Sequence, residues 1–301
     1  MKKTLISVVG PTAIGKTKLA IGLAKYYQTE IISADSRQFF KEMHIGTAVP
    51  SAEELAAAPH HFIQHKSILD PYSVGDFERD AIQLLEQLFQ KYEIVILVGG
   101  SGLYVDAVTK GLDTFPDVSP EIRKCLNSQL EIEGISALQN QLQQLDPLYF
   151  RKVDIQNPHR LIRALEIAIG TGKPYSSFLQ KENNKRSFNV LTVGITAERD
   201  IIYERINQRV DLMLKEGLME EVKSLIPNQH LNALQTVGYK ELFQYLEGKW
   251  SLDFAIAEIK KNTRRFAKRQ LTWFRKNESS IWVDFNSEVP KSIHTIEKSI
   301  K

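Results

Sequence analysis

The residues with the clearest chemical pattern lie in the stretch "GPTAIGKT", from Gly10 to Thr17. Their spacing is that of a phosphate-binding loop, G-x-x-x-x-G-K-[ST], which joins a strand to a helix and presents backbone N–H groups to phosphate oxygens. Lys16 adds a positive charge, and the Thr17 hydroxyl is a ligand for Mg²⁺, the cofactor that we expect. The predicted diphosphate- or nucleotide-binding residues are Gly10, Pro11, Thr12, Ala13, Ile14, Gly15, Lys16 and Thr17.

A carboxylate follows the second predicted strand, in "EIISADSRQ". Because strand ends in an open α/β sheet face the ligand crevice, we expect Asp35 near the phosphate-binding loop, as a general base or a metal ligand. The apolar strand "IVILV" is followed by Gly-Gly-Ser, where motor ATPases and GTPases carry an Asp for Mg²⁺. This pattern disfavours a motor-type NTPase but leaves a small-molecule kinase open.

A basic and aromatic segment, "KKNTRRFAKRQLTWFRK", spans residues 260–276 and contains no acid. Helical spacing puts Ala267, Leu271 and Phe274 on one stripe, which would pack, and leaves a second stripe basic. The basic stripe comprises Lys261, Arg264, Arg265 and Lys268. We predict that Arg264, Arg265 and Lys268 contact a nucleic-acid backbone, with a solvated charged face as the alternative.

Three further arginines are candidates for binding anions. Arg123 falls in the first turn of a helix opened by "SPE", where the helix dipole disfavours a cation, so we expect an anionic partner. Arg205 and Arg209 lie one helical turn apart. They are interpreted either as phosphate ligands or as partners of nearby acids.

The elements that must position these residues alternate between short apolar runs and helical patterns, which indicates a parallel sheet flanked by helices. The predicted strands are residues 5–9, 30–33, 94–98, 190–195 and 281–285. A helix capped by Ser73 and Asp76 is predicted between the second and third of them. The pattern indicates a core of the P-loop NTPase type over residues 1–114 and 189–301, interrupted by a helical insertion domain at 115–188.

Composition limits the remaining classes. The chain has 301 residues, a net charge of +3 and one cysteine, Cys125, which excludes an internal disulfide and a thiolate metal cage. No stretch approaches the ~18 apolar residues expected of a membrane span. We therefore expect a cytoplasmic protein without membrane contact, acting as a monomer.

The motifs, taken together, resemble those of the bacterial tRNA dimethylallyltransferases. The similar blocks run in that family's order from residue 10 to about 275 and include "GPTAIGKTKLA", "IISADSRQ", "VGGSGLY", "NPHRLIRALEI", "QTVGYKEL" and "RRFAKRQLTWFR". The resemblance implies transfer of a dimethylallyl group from dimethylallyl diphosphate to the exocyclic amine of adenosine at tRNA position 37, beside the anticodon. Diphosphate would then be the leaving group, which explains why an acid after "IVILV" is not needed.

The resemblance also implies roles for individual residues. Asp35 would be the general base, while Lys16 and Thr17 would stabilise the leaving diphosphate, Thr17 through Mg²⁺. The tRNA-binding residues implied for the anticodon stem-loop are Asp35, Ser36, Arg37, Gln38, Ser101, Arg123, Arg160 and Arg163. Ser101 departs from the family, which commonly has Thr there, but keeps the hydroxyl.

Three alternatives remain at this stage. An adenylate isopentenyltransferase would share the phosphate loop and Asp35 but prenylate free AMP, ADP or ATP. A small-molecule kinase would share the same two motifs, and a non-catalytic RNA-binding module would share the basic helix. The helical insertion and the basic helix favour tRNA as the acceptor, because a free nucleotide needs neither.

Overall fold

The sheet of the protein is parallel throughout. The computed structural model describes residues 3–179 and 186–300. Its strands are β1 (Thr4–Val9), β2 (Ile31–Ser33), β3 (His60–His61), β4 (Ile94–Gly99), β5 (Asn189–Thr196) and β6 (Ile281–Asp284). They are ordered β3-β2-β4-β1-β5-β6, and every neighbouring pair is parallel. The predicted fold class is confirmed, and β3, which was not predicted, adds two residues at one edge.

Apolar side chains of the central strand β1 point to both faces of the sheet. Ile6 and Val8 belong to one apolar cluster, whereas Leu5 and Val9 belong to another. The alternation follows from the two-residue period of a strand. Both faces are therefore buried, which explains why β1 is a continuous apolar run rather than an alternating one.

Helices of the core cover these faces and build a further apolar cluster. They are α1 (Lys16–Tyr27), α2 (Ala52–Ala57), α3 (Val74–Lys91), α4 (Gly102–Lys110), α9 (Arg199–Lys215), α10 (Leu218–Ser224), α11 (Tyr239–Leu246), α12 (Leu252–Phe274) and α13 (Val289–Ile300). The Ser73 hydroxyl caps α3 by accepting the Asp76 N–H at 3.2 Å, as predicted. Tyr239 is fully buried in the cluster that joins α9, α10, α11 and α12.

The chain divides into two compact units, Met1–Lys110 with Arg186–Lys301 and Gly111–Lys185. The sequence placed these boundaries at 115 and 188. The second unit is helical in its described residues, with α5 (Pro120–Glu133), α6 (Ile135–Leu145), α7 (Pro147–Phe150) and α8 (Pro158–Thr171) around its own apolar cluster. In the described part of the chain, no helix combines the length and apolar character needed to cross a membrane.

Candidate active site

The loop between β1 and α1 has the conformation that its glycines permit. Gly10 and Gly15 have φ angles of +150° and +102°, which L side chains rarely adopt. A Cβ on Gly10 would also lie 2.8 Å from the carbonyl oxygen of Ile195 on β5. Gly15 is the N-cap of α1 and has no side chain to accept the first-turn N–H groups. These donors therefore remain for an anion, aided by the helix dipole.

Lys16 lies folded over this loop. Its ammonium donates to the carbonyl oxygen of Pro11 at 2.8 Å. Loss of solvent around the ammonium lowers the pKa of Lys16 to about 8, the Asp35 carboxylate acts in the opposite direction, and Arg209 lowers the pKa further. Lys16 therefore begins to lose its proton above neutral pH, and an incoming anion would stabilise its charged form.

Two arginines of α9 face the same loop. The Arg205 Nε donates to the carbonyl oxygen of Ala13 at 2.7 Å, and Arg209 lies one turn further along the helix. Burial, together with the like charge of Arg205, lowers the pKa of Arg209. Neither arginine forms an ion pair with a carboxylate among residues 3–179 and 186–300. This favours the phosphate-ligand interpretation over pairing with nearby acids.

The phosphate-binding loop opens into a first cavity of about 740 Å³. Its chemistry is dominated by cations, loop amides and a few oxygen ligands, contributed by Thr12, Lys16, Thr17, Asp35, Arg205 and Arg209. The whole lining contains four cations and three carboxylates, and of these Lys16, Arg205 and the loop amides gather at the phosphate-binding loop, where a ligand with several negative charges would bind. Lys16 and Thr17 both line this cavity, and their role as diphosphate ligands stays a prediction.

Asp35 lies two residues beyond β2, at the carboxyl end of the sheet. Its Oδ1 accepts the backbone N–H of Arg37 at 3.1 Å, which orients the side chain. The residue lines the first cavity and also a second, neighbouring cavity. A carboxylate in this position can reach a group bound on either side.

The second cavity has a volume of about 410 Å³ and largely apolar and aromatic walls. The wall residues include Tyr104, Ile206, Val210, Val237, Phe266 and Trp273. It shares Thr12, Asp35 and Arg209 with the first cavity, so the two adjoin one another. The aromatic walls suit a flat heterocycle, and the arginines that also line the cavity, Arg37, Arg209 and Arg269, suit phosphates attached to that heterocycle.

Gln270 of α12 lies between the two cavities and is buried. Its side-chain oxygen accepts the backbone N–H of Thr12 at 2.9 Å, and its Nε2 donates to the carbonyl oxygen of Gly100 at 2.9 Å. One amide thereby joins the phosphate-binding loop to the segment after β4. Gly100 leaves room for it, since a Cβ there would lie 2.4 Å from the Gln270 Nε2.

Comparison with known proteins shows the family. A family model described as IPP transferase matches residues 38–277. A Christiangramia forsetii protein named tRNA dimethylallyltransferase is 60% identical over 300 residues, covering 100% of this chain and 99% of the relative. The chain belongs to the IPP transferase family. The resemblance drawn from the motifs is therefore confirmed.

Solved structures support the same assignment for this IPP transferase. The tRNA isopentenylpyrophosphate transferase of Bacillus halodurans is 39% identical, with a TM-score of 0.73 over 99% of this chain and 96% of that one. A eukaryotic dimethylallyltransferase acting on tRNA is 26% identical, with a TM-score of 0.82 over 99% of this chain and 78% of that one. Nearly the whole length of the present chain is shared with both.

The predicted tRNA contacts that follow Asp35 have partners inside the IPP transferase core. The Ser36 backbone N–H donates to the Ser101 Oγ at 3.1 Å, and the two hydroxyls are also 3.1 Å apart. Arg37 donates to the carbonyl oxygens of Asn232 and Ala233 at 3.0 and 2.9 Å. These contacts hold the loop that carries Asp35.

Gln38 links the same loop to the segment after it. Its Nε2 donates to the carbonyl oxygens of Thr47 and Ala48 at 3.2 and 2.8 Å. Thr47 and Ala48 line both cavities. The predicted contact residues from Asp35 to Gln38, together with Ser101, are thus brought together around the carboxylate.

The basic residues of α12 are not equivalent. Arg265 and Lys268 are exposed, whereas Arg264 is half-buried. Arg264 donates to the Asn207 Oδ1 at 2.9 Å and lies 5.7 Å from the centre of the Tyr203 ring. Of the four residues of the predicted basic stripe, Arg264 packs against α9 and Lys261 pairs with Glu258, whereas Arg265 and Lys268 face solvent.

The predicted contacts of the helical unit gather around a single acid. Arg123 donates to Glu166 through Nε at 3.0 Å and through Nη2 at 2.7 Å, and Arg163 donates to the same carboxylate at 2.9 Å. Glu166 is the anionic partner that the helix position of Arg123 suggested. Arg160 lies on the same helix, one turn after the Asn157 cap, and is exposed.

Proposed function

We propose that the protein transfers the dimethylallyl group of dimethylallyl diphosphate to the exocyclic amine of adenosine at tRNA position 37. The observation that carries this proposal is the position of Asp35, which borders both the cavity at the phosphate-binding loop and the cavity with aromatic walls. A diphosphate donor fits the first cavity and an adenine fits the second, so their reacting atoms would meet beside the carboxylate. The relatives named tRNA dimethylallyltransferase and tRNA isopentenylpyrophosphate transferase support the same reaction.

The donor side supplies charge for the leaving group. Lys16, Arg205, Arg209 and the loop N–H groups surround the place of the diphosphate. Negative charge grows on the ester oxygen that joins the allylic carbon to the diphosphate as this C–O bond breaks. Fixed cations and amides aimed at that oxygen lower the barrier because they need no reorganisation during the reaction.

The acceptor side supplies orientation. An adenine stacked in an anticodon loop cannot reach the donor, so the base must leave its stack and enter the second cavity. Tyr104, Phe266 and Trp273 offer ring faces for the base. The cost of unstacking is a few kcal/mol and is smallest in a single-stranded loop.

The reaction balances as a substitution at carbon. The amine nitrogen forms a bond to the allylic C1 while the bond from C1 to the diphosphate oxygen breaks, and the electron pair leaves with the diphosphate. Asp35 accepts the proton that the amine loses. Lys16 retains its proton because the anion beside it favours the charged form.

Magnesium fits the donor set of the first cavity. The Thr17 hydroxyl and the Asp35 carboxylate are hard oxygen ligands that line it, and Mg²⁺ in phosphate sites takes one or two protein oxygens with phosphate and water. Thr17 would hold the ion. When bound, it would neutralise charge on the diphosphate.

Binding of the tRNA itself would use exposed cations of both units. The exposed Arg265 and Lys268 of the core and the exposed Arg160 of the helical unit would contact the phosphate backbone. Exposed Arg123 and half-buried Arg163, which share the Glu166 carboxylate, would contribute their remaining N–H groups. A tRNA substrate supports a cytoplasmic location.

The test is transfer of label from dimethylallyl diphosphate with Mg²⁺ to unmodified tRNA or to AMP, with Asp35→Ala alongside. Label at adenosine 37, strongly reduced in the variant, is expected. Label in AMP alone would assign the protein to the free-nucleotide class. Absence of label from both acceptors would overturn the prenyl-transfer proposal and favour phosphoryl transfer.

A further inference from the structure

The indole of Trp273, which lines the second cavity, is held by two residues of α4. Its Nε1 donates to the Asp106 Oδ2 at 3.0 Å. A Cβ on Gly102 would lie 2.5, 2.6 and 2.7 Å from the Cδ1, Nε1 and Cγ of the ring, so the five-membered ring lies directly against the backbone of α4. Residues four apart share one face of a helix. Gly102 and Asp106 therefore form a single seat for the indole.

The Asp106 carboxylate has a second partner that offsets its charge. The Lys110 ammonium lies 2.9 Å from the Asp106 Oδ1, one turn further along α4. The Lys276 ammonium lies 5.5 Å from the centre of the Trp273 ring. An unpaired carboxylate beside a bound RNA would repel its phosphates, and these two cations reduce that repulsion. Asp106 can therefore stay close to the acceptor site as a partner for the indole N–H.

This seat determines the plane of the ring. The torsion that turns an aromatic ring about its Cβ–Cγ bond is broad, so a half-buried ring at a cavity wall needs neighbours to fix it. Turning the indole over would carry Nε1 away from Asp106 and separate a donor from its acceptor, which is unfavourable. Tyr104, between Gly102 and Asp106 in the chain, lines the same cavity. Thus α4 contributes one ring directly and orients a second ring that α12 carries.

We propose that Asp106 is a positioning residue for the acceptor base: by holding the Trp273 indole, it sets the plane in which the adenine lies. The inference rests on the proposed function, which puts the adenine in the second cavity. A base stacks with its plane along the face of an aromatic ring, so a tilt of the indole becomes a tilt of the adenine. The amine nitrogen must approach the allylic carbon in line with the breaking C–O bond, and a misplacement of about 1 Å can cost about 10² in rate.

The consequence is a change in kcat rather than in KM for the RNA. Affinity for RNA comes largely from contacts with phosphates, and these contacts do not involve the indole N–H. A complex in which the ring is free to turn would still form, but its adenine would be correctly aligned for only part of the time. The rate of transfer within the complex should therefore fall.

The experiment measures kcat and KM for prenyl transfer to an anticodon stem-loop RNA that contains the target adenosine. Asp106→Leu keeps the size of the side chain but has no acceptor, and we expect it to lower kcat about tenfold with KM for the RNA nearly unchanged. Asp106→Asn keeps an oxygen that accepts the indole N–H and should restore most of kcat. Lys110→Ala, which removes the ion pair but leaves the indole contact, is the matched control and should have the wild-type kcat. Asp106→Ala replaces the Leu variant if the larger side chain prevents folding.

A double-mutant cycle tests whether Asp106 acts through the indole. Trp273→Phe has no N–H to hold, so Asp106→Leu should lower kcat little further in that background. Equal losses from Asp106→Leu in both backgrounds would overturn the proposal. So would wild-type kcat in Asp106→Leu and Asp106→Ala, or an Asp106→Asn variant as slow as Asp106→Leu. Each of these results leaves prenyl transfer intact, whereas failure of the wild type to label the RNA would overturn the proposed function.

Discussion

Tyr239 donates its hydroxyl hydrogen to the Glu221 carboxylate at 2.6 Å, and the same carboxylate binds the backbone of a segment that lines the two cavities. The backbone N–H groups of His44, Ile45 and Gly46 donate to Glu221 at 2.9, 2.7 and 2.9 Å. The burial of the phenol and its carboxylate partner raise the pKa of Tyr239, so the hydroxyl stays protonated and remains a donor. Glu221 therefore fixes residues 44–46, and the two residues that follow, Thr47 and Ala48, line both cavities.

Replacing Glu221 with Gln should loosen this segment. The amide nitrogen cannot accept an N–H, so one or two of the three backbone donors would lose their partner, at a cost of about 1–3 kcal/mol. We expect a lower melting temperature and higher KM values for dimethylallyl diphosphate and tRNA, with a smaller change in kcat. Glu220→Gln, an exposed neighbour on α10, is the control for charge. Equal KM values in the two variants would show that Glu221 does not shape the cavities.

Much of the fold follows from local pattern. β1, β4 and β5 are central strands and read as apolar runs, because both faces of a parallel sheet are buried. Among the described residues, β3 pairs only with β2; it consists of His60 and His61, so it has too few residues to show a period. The boundaries of the helical unit were also approximate, since no residue type marks where contacts between two units decrease.

In the candidate site, too, residues with a local sequence signal could be predicted and residues that meet over a long sequence separation could not. Lys16, Thr17 and Asp35 could be predicted because their spacing or their place after a strand is local. Gln270 is 258 residues from Thr12 and Glu221 is more than 170 from Gly46, so no local pattern links these pairs. The same holds for the Arg123–Glu166 ion pair, of which the helix position of Arg123 indicated only that an anion was needed.

Gln270→Glu should impair both halves of the site. The carboxylate can still accept the Thr12 N–H, but the donor to the Gly100 carbonyl is lost and two oxygens would face each other. We expect a loss of about 1–3 kcal/mol in unfolding free energy and higher KM values for both substrates. Urea unfolding and steady-state kinetics measure these effects, with exposed Gln208→Glu as the control. Wild-type values for Gln270→Glu would contradict a bridging role.

Asp35→Asn separates the base role from the structural one. Asparagine can still accept the Arg37 N–H through its side-chain oxygen, but it cannot take up the amine proton. We expect kcat to fall by ~10²–10⁴, with the dissociation constant for tRNA nearly unchanged. Single-turnover transfer and filter binding would measure the two quantities. Wild-type turnover in Asp35→Asn would remove Asp35 from the base role.

The cations of α12 should respond differently to substitution. Arg265→Ala combined with Lys268→Ala is expected to weaken tRNA binding and to reduce the salt slope by about 1.4 to 1.8 units. Arg264→Ala should lower the melting temperature instead, because it removes contacts with Asn207 and Tyr203. Binding titrations at several salt concentrations, with melting curves, test both. A double variant with an unchanged slope would assign the exposed cations to solvent.

Diphosphate binding should depend on pH through Lys16. The pKa of Lys16 is about 8 in the unliganded protein, and a bound anion raises it, so binding near pH 8 takes up a proton. The contribution of the Lys16 charge to diphosphate affinity is therefore fully present below pH 7 and is lost as pH rises through 8. Uptake by Lys16 at pH 8 is about half a proton when the bound form is fully charged.

Calorimetry of inorganic diphosphate in buffers of different ionisation enthalpy measures this uptake. Lys16→Arg is the matched control, because a guanidinium stays charged across the range while the protonation of diphosphate itself is unaltered. We expect the variant to take up fewer protons at pH 8 and to lose less affinity between pH 7 and 9. Equal uptake in both proteins would mean that Lys16 is already fully charged before the anion arrives, and that its contact with the Pro11 carbonyl holds the proton in place.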